Sequence, residues 1–330
     1  MLIILGTDVS KRKLDNHLFR NEQDEKGLKK SVANTPEGFV ELVKWIEQKT
    51  AALPSQIYVV MEATGPYHEA FAETMHQLGA AVVVANPARV KHFGRSEGIR
   101  TKNDQIDARL LACYARKNLA LRRWKPTAPE YRQLDHLIKR REALEADRQR
   151  ERNRYEKVTT HRPDPQIQAS FERTEAFLKT ELAKLDQQID QLIEQHPKLR
   201  HDRKLLRSIP GVGPVIAVIM LVLLQHGERF ESASQLAAYL GLNPVETQSG
   251  SSVRQPARLS KIGPARWRAK LYLPAVAASQ CNPDVKALYQ RLVARGKSKM
   301  LAIGAAMRKL VHICFGVIKH QSVYQSQISV

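Results

Sequence analysis

The chain has 330 residues, of which 43% are apolar, and its 53 Lys and Arg against 33 Asp and Glu give a formal net charge of +20. This length allows two or three domains with buried cores, and the mean hydropathy of −0.40 argues against a membrane-embedded protein. Its three cysteines are too dispersed for a disulfide framework or a zinc site, which predicts buried thiols in a reducing cytoplasm. The positive excess favours a polyanionic partner such as nucleic acid.

Residues 1–124 are predicted to form an α/β domain. Apolar β-branched runs predict strands at 2–9, 57–61 and 80–85, with weaker strands at 14–20 and 29–33, and helical periodicity occurs over 36–48 and 67–78. Strands that alternate with helices predict a mixed sheet with helices packed on it.

Residues 125–206 are predicted to be helical. Two amphipathic stretches are separated by a helix break at 161–165, which predicts an antiparallel helical hairpin or coiled coil. Such a hairpin can serve only as a spacer, or it can pair with another subunit because a lone hairpin buries only one face. Residues 207–330 are predicted to form a third, largely helical domain, interrupted by a glycine- and serine-rich stretch at 247–263.

Four acidic residues are spaced so that they can form one metal site. Asp8 lies in the first predicted strand, Glu62 ends a later one, and Asp104 and Asp107 lie three apart on one face of a predicted helix. Taken alone, the helical pair is better explained by the helix dipole. The two strand-borne acids favour a metal site, because ribonuclease-H-like nucleotidyl-transfer domains place acids in this way. Carboxylates suit Mg²⁺ or Mn²⁺, and two such ions can stabilise both reacting oxygens of a phosphodiester.

Two segments are candidates for contacts to nucleic acid. The loop before the helical acids carries Arg100 and Lys102, which can lead a phosphate towards the metal or belong to an ordinary solvated loop. The segment 209–213 fits the hairpin of a helix-hairpin-helix element, in which Gly211 and Gly213 let backbone N–H groups approach a phosphate. A plain turn between two helices also uses proline and glycine, so both interpretations stay open.

Ser249 precedes a glycine in a predicted loop that continues with Arg254, Arg258 and Lys261. A serine must be activated before it can attack phosphorus, and nearby cations stabilise the charge that develops on the phosphate. From the residues alone, a polar loop explains this segment better than a nucleophile does, and the three cations are predicted phosphate contacts.

Together, these stretches resemble the DEDD-type transposases of bacterial insertion sequences, the IS one-ten group, which is related to the Piv-type DNA invertases. The resemblance covers nearly the whole chain and is carried by GTDVSK at 6–11, EATGPY at 62–67, NPARVK at 86–91, KNDQIDA at 102–108, IPGVG at 209–213 and SGSSVR at 249–254. Thr7 stands where an aliphatic residue is commoner, and Asn103 stands where threonine is commoner. Neither departure removes a proposed ligand.

The resemblance implies an RNase H/RuvC-like domain at 1–124, a coiled-coil dimerisation region at 125–206 and a mainly helical transposase domain at 207–330 with a helix-hairpin-helix-like element. It implies that Mg²⁺ or Mn²⁺ is bound by Asp8, Glu62, Asp104 and Asp107. It also implies that Ser249 forms a covalent phosphoserine link to DNA, and that a structured bridge RNA pairs with donor and target DNA.

The expected function is therefore that of a cytoplasmic DNA transposase. Because a synapse holds two DNA sites, at least a dimer is expected, with a tetramer in the synapse. Two alternatives stay open. In a metal-dependent, junction-resolving nuclease, water would attack the phosphorus and Ser249 would take no part; in a non-catalytic nucleic-acid-binding protein, the acids would be structural.

Overall fold

The computed structural model describes residues 3–99, 101, 103–160, 164–249 and 253–327, with their side chains except those of 159, 247–249 and 253–257. The chain forms two compact units, residues 1–127 and 128–330.

The first unit is a five-stranded mixed sheet covered by helices. Its strands are β1 (Ile3–Val9), β2 (Lys13–Phe19), β3 (Leu28–Ala33), β4 (Ile57–Glu62) and β5 (Ala81–Ala85). They lie in the order β3-β2-β1-β4-β5, with β1, β4 and β5 parallel and the β1–β2 and β2–β3 pairs antiparallel. Its helices are α1 (Pro36–Thr50), α2 (Glu69–Gln77), α3 (Pro87–Ser96) and α4 (Asp104–Lys117). The fold is RNase H-like, and all five predicted strands are confirmed.

Side-chain alternation along β1 divides the core of this unit into two layers. Leu5 and Val9 pack in the layer that contains Phe39 of α1, whereas Ile4 packs in the layer that contains Leu111 of α4. A sheet buried on both faces explains why its central strands are continuous apolar runs in the sequence.

Both departures from the family pattern have a local structural reason. The buried Thr7 hydroxyl donates a 2.8 Å hydrogen bond to Oδ1 of Asn16 on the neighbouring strand, a contact that an aliphatic side chain cannot make. The Asn103 side chain caps α4 by accepting a 2.8 Å hydrogen bond from the backbone N–H of Ile106. Asparagine and threonine are both good N-caps, so this exchange preserves the start of the helix.

The second unit is mainly helical. Its elements are α5 (Pro129–Thr159), α6 (Pro165–Gln195), α7 (Pro197–Arg207), α8 (Pro214–Leu224), α9 (Ala233–Tyr239), β6 (Pro244–Ser249), β7 (Val253–Leu259), α10 (Ala265–Lys270), α11 (Tyr272–Cys281), α12 (Pro283–Ala294) and α13 (Lys299–His320). Helices α5 and α6 run antiparallel, since Arg148 pairs with Glu175 and Arg141 with Asp186. The predicted helical hairpin is therefore confirmed.

Helix α13 is long and apolar enough to cross a membrane by length and composition alone. In this fold, 61% of its most apolar window is buried. Its inner face, which includes Met307, Leu310 and Cys314, belongs to the core of the second unit. This burial is the property of a core helix in a soluble protein.

The prediction of a loop at Ser249 is wrong for the backbone. β6 and β7 pair as an antiparallel hairpin, and its last pair joins Ser249 with Val253. Glycine and serine content suggested the loop, but valine and threonine recur on alternate positions in β6, which favours a strand.

Candidate active site

Gly6 allows helix α4 to lie directly on strand β1. A Cβ atom on Gly6 would be 2.4 Å from the backbone nitrogen of Ala112, a separation that real Cβ atoms do not adopt. Because side chains alternate along a strand, Gly6 and Asp8 share one face. The close approach at Gly6 therefore brings the first turn of α4, with Asp104 and Asp107, to the face that carries Asp8.

Strand register places Glu62 beside Asp8. β1 and β4 are parallel and pair as far as Thr7 opposite Met61, so the next residue of each strand is one of the two acids. The carboxyl ends of parallel strands meet at one edge of a sheet, where ligands bind in open α/β folds. The fold thus places Asp8 and Glu62 at the same edge of the sheet, and their joint role at a metal site stays a prediction.

Negative charge is crowded around Asp8. Burial raises the pKa of the Asp8 carboxyl to about 6, and repulsion from Asp107, Asp104, Asp15 and Glu62 adds to the rise. A raised carboxyl pKa produced by burial and like charges marks a position where a cation would be favourable.

Asp15 is an acidic residue of this cluster that sequence analysis missed. It lies directly opposite Asp8 in the β1–β2 register and is buried. Its Oδ1 accepts a hydrogen bond from the Ser31 hydroxyl. The sequence did contain a clue, because a tight hairpin between the two predicted strands would pair residues 8 and 15. The apolar pattern of 14–20 was too weak to predict that hairpin.

Lys13 is the second residue that the sequence did not single out. Its ammonium group lies 2.7 Å from Oδ2 of Asp104 and 2.9 Å from Oδ2 of Asp15. It therefore joins the start of β2 to the start of α4, and it places positive charge against an otherwise acidic cluster.

The donor set suits a hard divalent cation, since it consists of carboxylate oxygens. Within the described part of the chain, no three His, Cys, Asp or Glu side chains lie close enough together to hold one ion as they stand. The acids nevertheless lie within electrostatic range of one another, since four of them act on the Asp8 carboxyl.

The remaining predicted site residues are distributed as follows. Ser249 ends β6 in the second unit, and its side chain lies outside the described residues, as does that of Arg254 in β7. Arg100 and Lys102 also lie outside the described residues. Arg258 is exposed at the end of β7.

Lys261 has an unusual backbone conformation. Its φ of 55° lies in the left-handed region, which residues other than glycine seldom adopt. Its N–H donates to the carbonyl oxygen of Gly241, and a Cβ on Gly263 would lie 2.0 Å from the carbonyl oxygen of Tyr239. Tight packing thus fixes the loop that presents this exposed lysine.

The two glycines of the predicted hairpin differ in their surroundings. Gly211 has a φ of 93°, and a Cβ there would lie 2.6 Å from Cβ of Ala278, so the fold itself requires glycine. A Cβ on Gly213 would meet nothing within 4 Å, and no side chain caps α8, which begins at the next residue. Only Gly213 therefore borders open space at a helix N-terminus.

Comparisons with known proteins show the family of this chain. A family model described as Transposase, of the DEDD IS110 type, matches residues 5–161, and a model described as Transposase IS116/IS110/IS902 family matches residues 203–290. The first match contains all four acids and implies a divalent metal ion, and the second contains Ser249.

Curated relatives extend the similarity over most of the chain. It is 34% identical over 297 residues to the pilin gene-inverting protein of Moraxella bovis, covering 89% of this chain and 90% of that protein. It is 25% identical over 296 residues to a probable family 20 transposase of Pseudomonas aeruginosa, covering 81% and 85%. It is also 31% identical over 144 residues to an insertion element IS110 protein of Streptomyces coelicolor, covering 44% and 34%. The chain belongs to the IS116/IS110/IS902 family of transposases, and it is a DNA recombinase of the DEDD type.

Proposed function

We propose that this transposase breaks and rejoins DNA with Mg²⁺ or Mn²⁺ bound by Asp8, Glu62, Asp104 and Asp107, and with Ser249 as the covalent nucleophile. The observation that carries the metal site is the partly buried position of Asp8 among four other carboxylates, where burial and then like-charge repulsion raise the pKa of its carboxyl to about 6. Carboxylates held close together repel one another, and a bound divalent cation would relieve that repulsion. When bound, the ion would stabilise charge on the phosphate oxygens.

The proposed reaction conserves phosphoester bonds. The Ser249 oxygen attacks phosphorus, so that a serine–phosphate bond forms while one bond from phosphorus to a deoxyribose oxygen breaks. The serine loses its proton, and the departing deoxyribose oxygen gains one. In rejoining, a deoxyribose hydroxyl attacks the phosphoserine and releases Ser249, so no external energy source is required.

Several groups are proposed to grip the nucleic-acid backbone. Exposure and charge support Arg258 and Lys261, and the packed left-handed conformation of Lys261 adds support because such strain is concentrated at functional sites. The open N-terminus of α8 at Gly213 supports a phosphate contact there. The packing of Gly211 on Ala278 already explains why glycine stands there, so it gives no separate support for a phosphate contact. For Arg100, Lys102 and Arg254, a contact to the nucleic-acid backbone is supported only by their charge and by the family motif.

We further propose that a structured RNA selects the donor and target DNA and that the protein works as an oligomer. The net charge supports a backbone-binding role, in which sequence choice belongs to base pairing. Phe177, which is 62% exposed on α6, supports pairing of the helical hairpin with another subunit. Sequencing the RNA that co-purifies with the protein tests the first proposal, and light scattering of the purified complex tests the second.

A denaturing gel of the protein with DNA matched to the co-purified RNA tests the nucleophile. Wild-type protein should give a DNA band shifted by covalent protein, and Ser249→Ala should abolish it while Ser252→Ala, a matched serine three residues away in the motif, retains it. Glu62→Gln and Asp104→Asn should also abolish it. Cleaved ends without any adduct would instead support hydrolysis by a junction-resolving nuclease. Wild-type recombination by the acid variants in Mg²⁺ would support a non-catalytic role for the acids.

A further inference from the structure

Lys13 lies where a cation is expected to bind. It is the first residue of β2, and its ammonium group bridges Asp104 of α4 and Asp15 of the same strand at 2.7 and 2.9 Å. A lysine side chain is positively charged at neutral pH, so both contacts join opposite charges. One carboxylate of the proposed metal site thus already has a cation against it.

The two ends of this bridge differ in burial. Asp15 is buried, and its two oxygens have separate partners, the Ser31 hydroxyl on Oδ1 and Lys13 on Oδ2. Lys13 and Asp104 are about half exposed, with 49% and 55% of their side chains accessible. Asp15 is therefore a fixed anchor, whereas the ammonium group can move away from Asp104 without unpacking the core.

We propose that Lys13 is a built-in counter-ion that holds Asp104 in the metal-free protein and must leave it when a divalent ion binds. The inference rests on the proposed metal site. A carboxylate that is paired at 2.7 Å with an ammonium group has less negative potential to offer a second cation, so Lys13 weakens metal binding. Asp15 acts through Lys13, since it keeps the ammonium group at the site by pairing with it.

Titration of the full-length, metal-free protein with Mn²⁺ tests this role, with the free ion followed by electron paramagnetic resonance. Lys13→Met removes the counter-ion and keeps the length of the side chain. Lys30→Met is the matched control, because Lys30 also lies in this sheet but pairs with Glu41 at 2.6 Å. Circular dichroism establishes that both variants fold.

Lys13→Met should bind Mn²⁺ more tightly than wild type by roughly three- to fivefold, the upper part of the range expected for loss of one partly exposed ion pair. Lys30→Met should stay within about twofold of wild type, because its charge is neutralised by Glu41. Mn²⁺ binding by Lys13→Met where wild type binds none would support the proposal most strongly.

Equal or weaker binding by Lys13→Met, with Asp8→Asn abolishing binding, would overturn the counter-ion role and leave the proposed metal site intact. A gain in Lys30→Met equal to that in Lys13→Met would also overturn it, since net charge alone would then explain the effect. Absence of Mn²⁺ binding in wild type and in Lys13→Met would overturn the metal site itself and the inference with it.

Discussion

The backbone carbonyl oxygen of Ala108 lies where a side chain on Gly6 would have to be, since a Cβ there would be only 2.3 Å away. Helix α4 and strand β1 therefore approach each other more closely than any other residue at position 6 allows. The acids on β1 and those at the start of α4 depend on this one contact for their spacing.

Replacement of Gly6 by alanine should push α4 away from β1. We expect Gly6→Ala to lower the free energy of unfolding by about 2 to 3 kcal/mol, because the added methyl group meets backbone that cannot move aside. It should also weaken Mn²⁺ binding, since Asp104 and Asp107 move with the helix. Urea unfolding and the Mn²⁺ titration measure the two effects.

Gly94→Ala is the matched control for Gly6→Ala. Gly94 lies in α3 of the same layer, and its added Cβ would meet only the flexible end of Leu110, at 3.0 Å. Stability should stay within about 1 kcal/mol of wild type, because alanine is the better helix former. If Gly6→Ala were as mild as this control, the close approach would not control the spacing of the acids.

The raised pKa of Asp8 predicts that removal of its charge stabilises the metal-free protein at neutral pH. The folded pKa of about 6 exceeds the ordinary value of 3.8, so the unfolded chain releases its proton first as pH rises. The contribution of Asp8 to the free energy of unfolding is thus fully present below about pH 4, and it is lost as the pH rises to about 6. Because Asp8 is only partly buried, solvent screens some of the effect.

In EDTA at pH 7.5, Asp8→Asn should therefore unfold with a free energy about 1 to 2 kcal/mol higher than wild type. The difference should become small near pH 4 and vanish below about pH 3, where this carboxyl is protonated in both the folded and the unfolded protein. Urea unfolding at a series of pH values measures it. A destabilised Asp8→Asn at pH 7.5 would contradict the charge crowding.

Thr7 is predicted to be stabilising although it departs from the family pattern. Thr7→Val keeps the shape but leaves Oδ1 of buried Asn16 without its donor. We expect a loss of about 1 to 2 kcal/mol in the free energy of unfolding. The loss should shrink in the double variant with Asn16→Val, as a double-mutant cycle would measure. A Thr7→Val protein at least as stable as wild type would exclude this role.

Asp202 is predicted to stabilise the second unit. It is 1% exposed and accepts hydrogen bonds from Nδ1 of His226, at 2.9 Å, and from Nε2 of Gln321, at 3.1 Å. His226 and Gln321 both have left-handed backbones, with φ of 57° and 50°. The carboxylate thus ties the end of α8 to the end of α13.

Asp202→Ala should lower the free energy of unfolding by about 2 to 4 kcal/mol, because His226 and Gln321 lose their buried charged acceptor and two residues with left-handed backbones lose their restraint. Arg200→Ala, on the exposed side of the same helix, should change it by less than about 0.5 kcal/mol. Thermal unfolding of both variants provides the comparison. Equal effects would mean that the buried carboxylate contributes nothing beyond helix propensity.

The sequence by itself determined the elements of this protein and most of its acids. Strands and helices follow from the local period of apolar residues, so the five strands and the helical hairpin were predictable, and the motifs identified the family. Asp8, Glu62, Asp104 and Asp107 could be predicted to converge, because each stands at the end of a strand or the start of a helix.

Only the tertiary structure decided what surrounds these acids. The pairing of Asp15 with Asp8 depends on the register of a hairpin, and the bridge from Lys13 to Asp104 joins residues 91 positions apart in the sequence. Neither leaves a periodic signal, because register and helix placement are set by packing over the whole sheet. The raised pKa of Asp8 also follows from that packing. Its burial and its like-charged neighbours arise only in the folded protein, where Gly6 allows α4 to lie against β1.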